Sequence, residues 1–284
     1  MKKILLTLCI FSSLVFGKTM PTIVDIPWLQ ENLNNPDLVL LDLREKSEYD
    51  KGHIKGAVNM PGLQSLFAKD DWKMPKLDFL KELFSNAGID KDSMVVAYDN
   101  GDFFWSARLY WVLEVLGHQN VALSKYAYGK TLAQNLPVST DTTITTRKEF
   151  VPRVDNDQIE TKLSTLLSIG KKTIIDGRAK SHYDGKDSIA KRYGHIPTAQ
   201  NYACTNNFQV SENGNYMKDF DELEKIYKDI PKEKEIILYC QGGAESALNY
   251  IVLKKLGYKP SVYDGSWKEW GNDANVPIEN PSKK

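Results

Sequence analysis

The chain has 284 residues, near-average apolar, aromatic and charged fractions, and equal numbers of acidic and basic side chains, so its formal net charge is zero. Length and composition point to two globular domains rather than a disordered or fibrous chain. A balanced charge gives no reason to expect nucleic acid or an anionic membrane surface as a partner, and the natural ligand class is a small molecule.

The first seventeen residues, MKKILLTLCIFSSLVFG, place Lys2 and Lys3 before an apolar run from Ile4 to Phe16, with small residues suited to peptidase cleavage near Gly17. This is the pattern of a removable export signal over 1–17, and it predicts a periplasmic or secreted mature protein. No segment approaches the roughly 20 consecutive apolar residues that a bilayer crossing needs, so no membrane association is expected after cleavage. Cys9 is lost with the signal, leaving Cys204 and Cys240. In an oxidising compartment such a pair first suggests a disulfide, although the setting of Cys240 described below argues for a free thiol.

A repeat organises the rest. LVLLDLREKSEYDKGHIKGAVNMP, from Leu38, matches the segment from Thr173 to Ala203: Asp42 aligns with Asp176, Arg44 with Arg178 and His53 with His195, and the second copy carries an insertion around Gly185 to Arg192. A second block, from Met94, matches one from Glu235. The apolar runs Leu38 to Leu41, Met94 to Tyr98, Thr173 to Ile175 and Ile236 to Tyr239 are predicted strands, as are Val121 to Leu123 and Ser261 to Tyr263. Each of the last two follows a helix that stops at Gly117 or Gly257. Buried strands alternating with helices predict an α/β protein of two tandem domains, each a mainly parallel sheet with helices on both faces. The domains are expected at 18–137 and 153–280, joined by a Thr- and Ser-rich linker over 138–152.

Within IILYCQGGAESALNYIVLKKLG, a strand ends at Tyr239, a short loop runs Cys240, Gln241, Gly242, Gly243, Ala244, Glu245, Ser246, and a helix with apolar Ala247, Leu248, Ile251, Val252 and Leu256 follows. Such a loop can curl its amides around the sulfur. Together with the positive helix end they predict a lowered thiol pKa and a thiolate nucleophile. A buried inert cysteine before an ordinary glycine turn is the simpler alternative.

The whole set resembles the tandem rhodanese family, the thiosulfate and 3-mercaptopyruvate sulfurtransferases. The resemblance is carried by Asp42/Arg44 and Asp176/Arg178, by the segments Gly52 to Ala57 and Gly194 to Ala199, by the Cys240 to Gly243 loop, and by the closing YDGSWKEWG from Tyr263 with Trp267 and Trp270. It implies a double displacement through a Cys240 persulfide, from a small donor such as thiosulfate to a thiophilic acceptor such as cyanide or a thiol, with no metal or organic cofactor. The loop from Gln241 through Ser246 would bind substrate and stabilise the anion. Asp99 stands where the first copy should carry a cysteine, so the first domain is expected to be a non-catalytic scaffold bordering the cleft, with Asp99 and Arg108 paired.

Three features depart from the family. The loop carries Glu245 and no Lys or Arg, and a carboxylate there opposes a thiolate and a dianionic donor unless it turns outward or finds a basic partner. The mercaptopyruvate-type loop sequence is also absent. The family's donor-binding arginine falls near His182 or Arg192, with the register open between them. His53 and His195, present in both copies, read as structural hydrogen-bonders. Cys204 is read as an inert thiol, with a resolving role for the persulfide as the alternative. A phosphatase is disfavoured because Ser246 stands where its loop requires arginine. The rival to the enzyme is a non-enzymatic sulfur-sensing or partner-binding module, and the oligomeric state is not legible.

Overall fold

The computed structural model describes residues 20–283. The export signal expected over 1–17 lies outside them. Among the described residues, no helix is long and apolar enough to cross a membrane.

Each repeat forms a five-stranded, wholly parallel sheet. In the first, β1 (Ile23–Val24), β2 (Leu38–Asp42), β3 (Val58–Asn59), β4 (Met94–Tyr98) and β5 (Val121–Ser124) lie side by side in the order β1-β5-β4-β2-β3. In the second, β6 (Ile159–Glu160), β7 (Thr173–Asp176), β8 (Gln200–Asn201), β9 (Glu235–Tyr239) and β10 (Lys259–Tyr263) take the equivalent order, β6-β10-β9-β7-β8. The central strands are buried nearly end to end, as continuous Val, Ile and Leu runs require when helices cover both faces. Register carries the internal symmetry: Asp42 sits opposite Tyr98, and Asp176 opposite Tyr239.

The Asp-x-Arg and Gly-His-Ile segments brace the sheet edges identically in both copies. Arg44 donates through Nε to Asp42 at 2.9 Å and caps the Gly52 carbonyl at 2.8 Å; Arg178 makes the same bonds to Asp176 and Gly194. His53 and His195 stack on Tyr49 and Tyr183, with Nδ1 bonded to the tyrosine carbonyl at 2.9 and 2.8 Å. These are the expected structural roles.

Helices α1 (Phe104–Val115) and α2 (Ala244–Lys255) leave β4 and β9 and pack against each other across the domain boundary. Both are buried almost all round, so neither shows the one-sided apolar stripe of a surface helix. The largest core cluster is continuous through them from one domain to the other. The linker has one short strand, Val138–Ser139, paired antiparallel with His53–Ile54, and anchors through buried Phe150, whose amide donates to Ser85.

Candidate active site

Cys240 follows the last residue of β9, and its main chain is gripped from the closing segment. Its amide donates to Ser266 Oγ at 3.2 Å, while its carbonyl and that of Gln241 accept from the amides of Trp267 and Lys268, each at 2.9 Å. These grips come from the loop and helix after β10, with α3 spanning Ser266–Trp270. Trp267 and Trp270 are fully buried; Trp267 lies under the Arg178 guanidinium and packs in the second domain's core rather than lining the cleft.

Gly243 takes the left-handed conformation (φ 94°) that opens α2, a geometry that suits glycine. The turn aims the Gly243 amide at Cys240 Sγ, 3.0 Å away. Ser246 also favours the charged sulfur, although its buried hydroxyl makes no hydrogen bond. Of the ring of amides expected around the sulfur, the Gly243 amide is the one seen to donate to it.

The first domain repeats this nest around a carboxylate. Asp99 Oδ1 accepts from the amides of Gly101 and Phe103 at 3.1 Å, and Oδ2 accepts from the Ser106 amide at 3.1 Å and its hydroxyl at 2.8 Å. Phe103 has the left-handed backbone of Gly243 (φ 59°), and Ser106 stands where Ser246 does. A carboxyl group thus fills one copy, and a sulfur fills the other.

Asp99 does not pair with Arg108 as the sequence suggests. Arg108 crosses to the second domain, donating to Asp264 Oδ1 at 2.6 Å and to the Gly243 carbonyl at 3.5 Å, with Phe67 and Trp111 on its faces. Asp264 Oδ2 accepts from the Met74 amide at 2.7 Å. This clasp fixes the carbonyl side of the active loop from the neighbouring domain.

Cys240 is buried in the bare protein yet lines a cavity of about 270 Å³. One wall is the loop itself: Cys240, Gln241, Gly242, Ala244 and Glu245. The other comes from the first domain as Leu63, Phe67, Trp72, Phe104 and Trp105. No described lining residue is a Lys, Arg or His. Trp72 closes over Gly242 so tightly that a Cβ there would come within 2.7 Å of its ring, and Lys268 Nζ sits 3.7 Å from the centroid of that ring.

The electrostatic balance corrects one expectation. Burial, followed by the charge of Glu245, pushes the Cys240 thiol up, and the Gly243 and Ser246 donors do not reverse it. The bare resting state is a thiol rather than a thiolate. Glu245 turns inward instead of outward: Oε2 accepts from the Gln241 amide at 3.3 Å, and burial raises its carboxyl as well.

Neither residue proposed for donor binding from the insertion lines the cavity. Arg192 spends its guanidinium on the carbonyls of Val276 and Trp270, both at 2.8 Å, and so fastens the C-terminal segment. His182 lies in the short helix Lys180–Tyr183, 3.8 Å from Asp187. Aligning the insertion by chemistry alone could not reveal that its cation is consumed by main chain. Cys204 and Cys240 are free thiols; Cys204 is buried away from the cavity lining, and burial pushes its thiol well up. Among the described residues, no group of three His, Cys, Asp or Glu side chains could hold a metal ion.

Known proteins agree with this architecture. The Rhodanese-like domain family matches twice, at 25–130 and 160–273. The thiosulfate sulfurtransferase of Corynebacterium glutamicum is 33% identical over 278 residues, covering 90% of each chain. The sulfur carrier protein TtuD of Thermus thermophilus is 30% identical over 90% of this chain and 95% of its own. Among solved structures, the 3-mercaptopyruvate sulfotransferase SseA from Escherichia coli superposes with a TM-score of 0.75 at 25% identity, covering 87% of this chain and 98% of that one. With two such domains, matched nests and one sulfur at the mouth of an interdomain cavity, the chain belongs to the rhodanese-like family and is a tandem-domain sulfurtransferase.

Proposed function

We propose that Cys240 carries a sulfane sulfur from a small donor, thiosulfate being the first to test, to a thiophilic acceptor such as cyanide or a low-molecular-weight thiol. The observation carrying this reading is the contrast between the residues the two nests hold: Cys240 lines a cavity, and Asp99, its counterpart, does not line it. Sγ attacks the donor's sulfane sulfur, the donor's bond to that sulfur breaks, and its electron pair departs with the leaving group. The outer sulfur of the persulfide is then open to a thiolate or cyanide, which takes it and releases Cys240. Gly243 and Ser246 stabilise negative charge as it passes through Sγ, a preorganised arrangement that needs no rearrangement during reaction.

Intact-mass analysis after incubating reduced protein with thiosulfate tests the assignment. The expected result is a gain of one sulfur atom on the wild type and none on Cys240→Ala. No gain with thiosulfate, mercaptopyruvate or polysulfide would favour a sulfur-independent binding module. The N-terminal pattern supports export to the periplasm or beyond as part of the same proposal. N-terminal sequencing of protein recovered outside the cytoplasm should begin near Lys18, and an intact Met1 there would argue against cleavage.

A further inference from the structure

The cavity poses a problem that the loop donors do not solve. Cys240 rests as a thiol, so its proton must go somewhere before Sγ can attack, and Gly243 and Ser246 present donors to the sulfur. No described lining residue is a histidine, lysine or arginine. The one proton acceptor built into the lining beside the sulfur is the Glu245 carboxylate, which borders the same cavity as Cys240. It sits in the first turn of α2 and is held inward by the Gln241 amide at 3.3 Å.

The neighbouring charges favour this reading. Asp176 and Arg178, on β7 and just after it, act on the Glu245 carboxyl in opposite directions, and they are bonded to each other. Burial, and after it the charge of Glu245, pushes the Cys204 thiol well up, so that neighbour brings no cation. From the cavity's opposite wall come apolar side chains. Glu245 is therefore a carboxylate with little solvation and no dedicated cationic partner, and burial makes it a stronger base than an exposed glutamate.

Resting on the reading of Cys240 as the sulfur carrier, we propose that Glu245 is a catalytic base that removes the Cys240 thiol proton during attack and surrenders it as the leaving group departs. With thiosulfate the step balances as follows. The proton moves from Sγ to Glu245, Sγ forms a bond to the sulfane sulfur, and the bond between the two donor sulfurs breaks. Its electron pair leaves with sulfite, and Cys240 becomes a persulfide anion. Sulfite then takes the proton from Glu245 and departs as bisulfite, restoring the carboxylate. The oxidation and reduction occur between the donor's sulfurs and Cys240, so no outside electron carrier is needed.

Glu245→Gln separates this role from simple repulsion because the two predict opposite signs. Removing the negative charge lowers the Cys240 thiol pKa, so the pH midpoint of iodoacetamide alkylation should move down in Gln by either account. If Glu245 only repels the thiolate, Gln loads sulfur from thiosulfate at pH 7 as fast as wild type or faster. If it is the base, Gln loads about a hundredfold more slowly, within the range general bases contribute, despite the lower midpoint. Its loading profile should also lose the acid limb expected of the wild type. Glu245→Asp should keep that limb at a reduced rate, and it provides the test if Gln does not fold. Loading by Gln equal to or above wild type would overturn the proposal. Failure of the wild type itself to gain sulfur would instead remove the carrier assignment beneath it.

Discussion

Asp99 and Cys240 occupy the same point of matching loops, yet their surroundings act differently on their protons. Asp99 accepts four hydrogen bonds, but burial still pushes its carboxyl up. Cys240 has fewer donors and a carboxylate neighbour, and its thiol rises too. The sequence showed the donors through the Gly242-Gly243 turn but not the outcome, because burial depends on Trp72, Phe67 and Trp105, which come from the other repeat. Glu245 makes this accessible to stability measurements. Its carboxyl is raised in the folded protein, so folding favours the protonated form; that contribution is complete below the unfolded carboxyl's range and fades as pH rises through the folded value. Glu245→Gln, which cannot ionise, should therefore gain melting temperature relative to wild type as pH rises from the unfolded carboxyl's range through the folded value. A difference constant with pH would mean that Glu245 is solvated.

The sequence suggests Arg108 as a structural partner for Asp99. In the fold it is a fully buried cation whose partner, Asp264, belongs to the other domain. Removing one member of a buried pair leaves the other charge uncompensated, at a cost of about 3–5 kcal/mol. Arg108→Met should lower the melting temperature sharply. Arg108→Lys should recover little, since one ammonium cannot reproduce the planar contacts with Phe67 and Trp111 or reach Gly243 in the same geometry.

At the scale of elements, strand, loop and helix are reproduced so closely that the repeat was readable without a structure. The strand cores were legible from their apolar runs. The start of α2 was not: apolar spacing pointed to Ala247, whereas the helix begins at Ala244. Its first turn is polar because it faces the sulfur and the cavity rather than the core, so hydrophobic periodicity could not mark it. The nest alone does not make a working site. Asp99→Cys placed in Cys240→Ala protein should leave the mass unchanged with thiosulfate, since the first-domain loop is fully buried at this point and Asn215 bonds the Gly101 carbonyl across it at 3.0 Å. A gained sulfur would show that donor nests, not the cavity, decide which repeat is active.

For the whole molecule, the first domain supplies two things that the second cannot make by itself: the clasp on Asp264 and the apolar wall opposite Cys240. The wall can be tested without touching the loop. Trp72 is 37% exposed and rests on Gly242, with Lys268 above its ring. Truncating it removes apolar surface from the cavity while leaving the Gly243 and Ser246 donors in place. Loss of part of a large side chain's contact with a bound ligand costs on the order of 1.5–3 kcal/mol. If the wall binds donor equally in ground and transition states, Trp72→Ala should raise the donor KM by about tenfold or more with kcat nearly unchanged. The alkylation profile of Cys240 should also remain in place. A fall in kcat with KM unchanged would instead mean that Trp72 holds the loop in shape, and that the first domain contributes by bracing the nest rather than by building the binding surface.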